Sequence, residues 1–283
     1  MRANASANAT DDIVVMTAAP FALLAAGLAL AAGAPAPLPD PYPDIARAYY
    51  VEIDGVPRWG GRADDALPIA SLTKLMTAVL VAESGRADDE ITITQTAAAE
   101  TGTRLGLQAG DRARRGDLLA AMLVRSANDA CRALADAIGG DEARFVARMN
   151  ARAAELGLTR TRFANACGHD HDDNHASARD LATLTRTALS IETIATDVAR
   201  ESFTFSTQRG RRHVMRNTNA LLGTLAGVRG VKTGWTPRAA RCLIVYAERD
   251  GRRVLAVLLA APDRWWDSAG LIERAFDDGD PAR

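Results

Sequence analysis

Three short segments, Ser71-Leu72-Thr73-Lys74, Ser126-Ala127-Asn128 and Lys232-Thr233-Gly234, stand along the chain in the order and rough spacing that assembles one serine acyl-transfer site. Singly, each has an ordinary explanation. A serine followed three residues later by lysine is usually a helix cap and a surface cation, a Ser-x-Asn turn is often only a cap, and Lys-Thr-Gly at a strand end is a common turn. Together they demand a fold that gathers distant stretches of chain at one point, and each must stand on an element that gives it chemical sense.

Residues 72–83 read as an uninterrupted helix with Leu75, Met76, Val79 and Leu80 on one face, so Ser71 opens a helix after the irregular Pro68-Ile69-Ala70. Its hydroxyl then lies at the positive end of the helix dipole, with Lys74 on the same side and within reach. A serine needs a base to become a nucleophile. A lysine serves when burial and a second cation lower its pKa, and Lys232 is the candidate for that cation. Ser126 and Asn128 lie between the apolar run 118–124 and a helix that starts near Asp129. Ser126 is expected to relay a proton between Lys74 and a leaving amine, and the Asn128 amide to hold the lysine and a substrate backbone.

The third motif follows Gly230-Val231, and segments 241–247 and 253–260, joined by Asp250-Gly251, read as a buried hairpin beside it. On that strand Lys232 offers a fixed positive charge to a carboxylate and Thr233 a hydroxyl donor. Gly234 leaves room for a substrate backbone to pair as an added strand. The amide nitrogens of Ser71 and Trp235 are the natural oxyanion pair.

Beyond the motifs, the chain carries Pro68-Ile69-Ala70 before Ser71, the run Thr101-Gly102-Thr103-Arg104-Leu105-Gly106-Leu107-Gln108-Ala109-Gly110-Asp111, Phe163-Ala164-Asn165, and His175-Ala176-Ser177-Ala178-Arg179-Asp180-Leu181. On these, residues 46–275 resemble the low-molecular-weight penicillin-binding proteins of the D-alanyl-D-alanine carboxypeptidase family. The resemblance implies an α+β, β-lactamase/transpeptidase-like fold: an antiparallel sheet flanked by helices, a mostly helical second lobe carrying Ser126 and Asn128, and the site between them. It also implies removal of the terminal D-alanine from peptidoglycan stem peptides through a Ser71 acyl-enzyme, covalent inhibition by β-lactams, and no metal or organic cofactor.

The chain departs from the family pattern in places. Ala239-Ala240 stands where Ala-Gly is usual, which leaves the strand geometry there open. The loop 166–175 is richer in His and Asp than the usual Pro-His-Gly-Leu. Arg264 lies near the place of an arginine that helps bind the substrate carboxylate, but Trp265 and Trp266 follow it and leave the register ambiguous. After Phe276 the expectation is a short tail, without the C-terminal β-domain or the amphipathic anchor helix that many members carry.

Other activities share parts of this pattern. D,D-endopeptidase action on cross-links would use the same site. A class A-like β-lactamase would need a Glu-x-x-Leu-Asn segment, which no glutamate here begins, and has Asp where Ala127 stands. A non-catalytic cell-wall protein would have lost a motif residue, and none is lost. His169, His171 and His175 with Asp170, Asp172 and Asp173 supply metal-ligand types without a ligand motif, and read as a solvated rim. His213, among Arg209, Arg211 and Arg212, reads as a surface residue of a strand or hairpin.

A net charge of −1 gives no reason to expect nucleic acid, and 48% hydrophobic with 24% charged residues suits a globular chain. Residues 13–34 differ in kind: an apolar, Ala- and Leu-rich run ends in small residues before Pro35, Pro37, Pro39, Pro41 and Pro43. The organisation expected is a signal peptide or N-terminal membrane anchor over 1–34, a Pro-rich linker over 35–45, a catalytic domain over 46–276 and a tail over 277–283, with the protein exported to the periplasm or cell envelope. Ala29-Leu30-Ala31 is the favoured cleavage site over Ala32-Gly33-Ala34, which Pro35 follows. Three cysteines leave at least one unpaired, so no disulfide framework is implied; Cys131 and Cys242 read as buried and Cys167 as the exposed thiol. Residues 48–53 make the first strand and 91–94 a short exposed one. Asp141 caps a helix to residue 156, and Ser177 caps another to 189 with Asp180 at capping-box spacing.

Overall fold

The computed structural model describes residues 38–278; the expected leader and residues 279–283 of the tail lie outside them. Strand β1 (Ala48–Ile53) turns at Asp54-Gly55, both at positive φ, into β2 (Val56–Gly61), the geometry of a two-residue hairpin. A short β3 (Leu67–Pro68) leads through a 3-10 turn over Ala70–Thr73 into helix α1 (Lys74–Glu83). The sequence pattern predicts one apolar face for this helix, but residues 74–81 are all buried. The helix runs through the interior, flanked on all sides, and carries Lys74 inside with it.

The helical lobe follows: β4 (Glu90–Thr92), α2 (Gln95–Ala98), β5 (Arg112–Arg114), α3 (Arg115–Val124), α4 (Asn128–Gly139) and α5 (Glu142–Glu155). β4 pairs antiparallel with β5, and Ile91 and Ile93 turn inward, so the segment expected to be exposed is covered on one face. Asp141 caps α5 by accepting from the Arg144 amide. The fully buried Asp129 carboxylate accepts from the amides of Leu105, Gly106 and Leu107, fixing a loop that no helix or strand supports.

Next, β6 (His175–Ala176) pairs with β3, and α6 (Ala178–Leu189) and α7 (Glu192–Val198) follow. Ser177 caps α6 as its spacing predicts, but the Asp180 carboxylate accepts from the Arg160 amide and the Thr161 hydroxyl. It thus ties down the preceding loop instead of closing a capping box. In the hairpin of β7 (Ser202–Ser206) and β8 (Arg212–Arg216), Phe205, His213 and Met215 are buried. His213 stacks on Phe205 with centroids 5.1 Å apart, so it is an interior residue, not the surface one its arginine neighbours suggest.

The chain returns through β9 (Val228–Thr236), β10 (Ala240–Arg249) and β11 (Arg252–Leu259) to end in α8 (Arg264–Asp277). The main sheet is antiparallel throughout, in the order β2-β1-β11-β10-β9. Its period-two alternation sends Tyr50, Leu255, Val257, Cys242 and Ile244 toward the core containing α1, and Val51, Val254, Ala256, Leu243 and Val245 toward α8. Both faces are therefore apolar. Leu271 and Ile272 of α8 are almost fully buried against the second face, each contributing about 2 kcal/mol by burial. Among the described residues no helix is long and apolar enough to cross a membrane.

The cysteines depart from expectation. Cys131 of α4 and Cys167 form a disulfide and both are buried, so Cys167 is not the exposed thiol; Cys242 is the free one. Parity allowed one pair, but only the packing of the 167 loop under α4 selects it. A bond across 36 positions typically contributes about 3–4 kcal/mol.

Ala240, where the family usually has glycine, sits at φ 53° after the three-residue turn between β9 and β10. The strand geometry is kept at the cost of about 1 kcal/mol for a left-handed alanine. Because Ala240 is exposed, little packing would be lost with its methyl group. Ala240→Gly is expected to raise the melting temperature by about 1–3 °C in a thermal scan, part of the relieved strain being offset by added unfolded-state freedom. A fall would mean that the methyl group supports the turn.

Candidate active site

Ser71 lies in the 3-10 turn that precedes α1, and Ala70 before it has φ 48°, a left-handed conformation that sharpens the turn. Lys74 Nζ is 2.9 Å from Ser71 Oγ and also donates to the Cys167 carbonyl. Lys74 is 0% exposed. Burial drives its pKa well below the ordinary lysine value, Lys232 lowers it further, and Glu100 opposes both. The environment therefore favours the free amine, the form that a base requires.

Lys232 is buried too, with Nζ donating to the Thr233 carbonyl at 3.0 Å. Burial, then the charge of Arg264, lowers its pKa to about 7. Its charge is thus not fixed, as the sequence suggests, but balanced near neutrality. Arg264, whose register the sequence leaves ambiguous, opens α8 and donates to the carbonyls of Gly234, at 2.8 Å, and Cys242.

Ser126 is buried at φ 63° between α3 and α4, a strained conformation for a residue with a side chain. Asn128 opens α4. Its Nδ2 donates to the Thr101 carbonyl at 2.6 Å and its backbone N–H to Thr103, so its amide holds the 101–103 loop rather than Lys74. The partner the sequence did not supply for Lys74 is the backbone of Cys167.

Thr218 ties the segment before the second motif to the third. It donates its amide to Val124 at the end of α3, and its hydroxyl is 2.7 Å from that of Thr233. Nothing in the sequence marks Thr218. Gly234 faces the nucleophile turn, where a Cβ would come within 2.9 Å of the Ile69 carbonyl and 3.3 Å of the Ser71 nitrogen. The close approach its glycine permits is therefore by the protein's own chain. Trp235, next along, is 63% exposed on a strand that ends the sheet order.

The loop rich in His and Asp closes the floor of the site. Gly168 has φ 89°, and a Cβ there would overlap the Ala70 carbonyl, so no other residue fits. Asn165 accepts from the amides of Gly168 and His169. The histidines diverge in their use: His169 Nε2 is 2.8 Å from Glu100, His171 accepts from the Asp173 amide, and the His175 backbone pairs in β6. A cavity of about 710 Å³ lined by Glu52, Arg186, Arg229, Tyr246, Glu248 and Arg253, among others, lies elsewhere and includes none of the motif residues. Chemistry, not concavity, locates the site.

The sequence profile of the D-alanyl-D-alanine carboxypeptidase family matches residues 60–263. The chain belongs to this family. It is 32% identical over 204 residues to the D-alanyl-D-alanine carboxypeptidase DacF of Bacillus subtilis, and 34% identical over 216 residues to DacC of Escherichia coli. These alignments cover 70% and 71% of the chain and 52% of each relative, so the chain spans about half their length. Among solved structures, the Streptomyces K15 DD-transpeptidase superposes with a TM-score of 0.78 at 30% identity, covering 85% of this chain and 100% of that one. The family fold, an antiparallel sheet with flanking helices, is the fold described above.

The Lys232 ionisation sets a pH dependence. A group whose pKa is about 7 in the free protein is charged below that pH and neutral above it. Binding of a peptide with a free C-terminal carboxylate to the Ser71→Ala protein is therefore expected to weaken by up to about tenfold per pH unit above 7. The same peptide as its C-terminal amide should bind with little change there. A limb of equal size with the amide would assign the ionisation to another group.

Proposed function

We propose that this chain is a serine-type D-Ala-D-Ala carboxypeptidase that removes the terminal D-alanine from peptidoglycan stem peptides and is acylated by β-lactams. The observation that carries the reading is the fully buried Lys74 amine 2.9 Å from Ser71 Oγ, its pKa lowered by burial and by a second buried lysine, Lys232. Ser71 Oγ attacks the carbonyl between the last two D-alanines as its proton passes to Lys74. The amides of Ser71 and Trp235 receive the oxyanion. Lys232 and Thr233 bind the terminal carboxylate. Gly234 lets the strand and the nucleophile turn close on each other, and Asn128 shapes the opposite rim.

The C–N bond then breaks, and the departing amine takes a proton from Lys74 through Ser126. Water hydrolyses the ester left on Ser71, returning the hydroxyl and releasing the shortened peptide. No step calls on a metal or organic cofactor. The catalytic domain is taken as residues 46–276. The apolar run 13–34 supports export to the periplasm or cell envelope, by a cleaved signal peptide or an N-terminal anchor.

Transfer of the acyl group to an amine, instead of water, is the second reading, favoured by the likeness to the K15 DD-transpeptidase. D,D-endopeptidase cleavage would follow the same chemistry on a cross-linked peptide.

Intact-protein mass spectrometry after incubation with penicillin is expected to show one covalent adduct, absent in Ser71→Ala. Lys74→Ala should slow acylation by about 10²–10⁴-fold, the range for loss of a positioned base. Release of free D-alanine from a stem pentapeptide would identify the hydrolase, and a new amide formed with added glycine the transferase. No adduct with the drug intact would remove the acyl-transfer reading.

A further inference from the structure

Cys131 lies three residues after Asn128 on α4, and its disulfide partner Cys167 belongs to the strap that crosses under the Ser71 turn. Among the described residues, Lys74 Nζ has two hydrogen-bond partners, Ser71 Oγ and the Cys167 carbonyl. A neutral amine carries two hydrogens and one lone pair. To take the Ser71 proton, the lone pair must face Ser71 Oγ, so the hydrogens must be directed elsewhere. The Cys167 carbonyl is the acceptor that directs one of them; if it moves, the lone pair turns.

Other contacts hold the residues on either side. Thr77 donates its hydroxyl to the Ala166 carbonyl at 2.6 Å, the Ala166 amide donates to Glu142 at 3.1 Å, and the Gly168 amide to Asn165 at 2.7 Å. The side chain of Cys167 itself is held by the disulfide. That bond ends on the helix that Asn128 opens and Ser126 closely precedes, so it joins the acceptor of Lys74 to the element bearing the second motif.

We infer that the Cys131–Cys167 disulfide is a positioning element for proton transfer: it fixes the Cys167 carbonyl against Lys74 and makes the Ser71–Lys74 pair and the Ser126-Ala127-Asn128 turn one rigid unit. The inference rests on Ser71 being the acylated group, as proposed above. The fold has provision for surviving without the bond. Cys131 Sγ is 3.3 Å from the Ala166 carbonyl and Cys167 Sγ 3.8 Å from that of Asn128, so both thiols, once formed, would have acceptors.

The test compares three forms of the full chain: oxidised, reduced, and Cys131→Ala/Cys167→Ala. Dithiothreitol in mild denaturant, later removed, supplies two electrons and two protons to the disulfide, giving two thiols and the cyclic oxidised reagent. Thiol labelling after denaturation should count one free thiol in the oxidised chain, from Cys242, and three after reduction. Circular dichroism checks that each form is folded. Penicillin acylation is then followed by stopped flow across drug concentrations.

The limiting acylation rate is expected to fall at least tenfold in both disulfide-free forms. The half-saturating concentration should change less than twofold, and reoxidation of the reduced form should restore the rate. A folded reduced chain that keeps the oxidised limiting rate would make the bond a stabilising staple only and overturn the inference, whatever the double variant does. Three free thiols in the protein as isolated from an oxidising compartment would also overturn it. Absence of acylation in the oxidised wild type would overturn the functional reading, and this inference with it.

Discussion

The burial of Lys74 is the constraint on which the rest of the site depends. Moving an ammonium out of water costs several kcal/mol, and a protein commonly meets that cost by letting the group lose its proton. Here the amine sits at the start of a helix buried on every side and has no exposed surface through which to recover hydration. The pressure toward the free amine is thus a property of the fold itself. It requires covering elements on all sides of α1: the sheet face carrying Ile244 and Val257, the helical lobe, and the strap at Gly168.

Three basic side chains form a series through the site. Arg264 adds to the burial that lowers Lys232, and Lys232 adds to the burial that lowers Lys74. A carboxylate arriving at Lys232 would restore its proton. The carboxylate brings an equal and opposite charge, so the pair adds no net positive field at Lys74, and burial remains the largest influence on the base.

What was legible in the sequence is what local physics decides. The Ser71–Lys74 spacing, the hairpin of β10 and β11, and the caps at Asp141 and Ser177 each depend on residues a few positions apart. What was not legible depends on packing between distant segments. Cysteine parity could not pair Cys131 with Cys167, because the pairing follows from where one loop passes beneath one helix. The arginines around His213 pointed outward on sequence grounds, yet strand alternation turns the imidazole inward onto Phe205. Asn128 had the right chemistry to hold Lys74, but its amide meets the Thr101 carbonyl first. Thr218, which ties the segment before the second motif to the third, belongs to no pattern at all.

The edge position of β9 brings these constraints to the substrate. An unpaired strand edge is ordinarily a liability, since its free amides and carbonyls invite another chain. Here the edge runs past the nucleophile, and β-strand addition is the mode by which an extended peptide would meet it. The protein limits what can pair. Arg264 bridges the carbonyls of Gly234 and of Cys242 on the neighbouring strand, and Lys232 places a titrating charge within β9 itself. Trp235 stands exposed at the next position, where a flat indole can cover a docked backbone without hydrogen-bonding to it. A peptide without an anion nearby would meet a desolvated lysine and leave it unpaired. Under the function proposed above, a short peptide ending in a carboxylate would bring the partner this lysine needs, so the edge would favour chain ends before Ser71 reaches the bond to be cut.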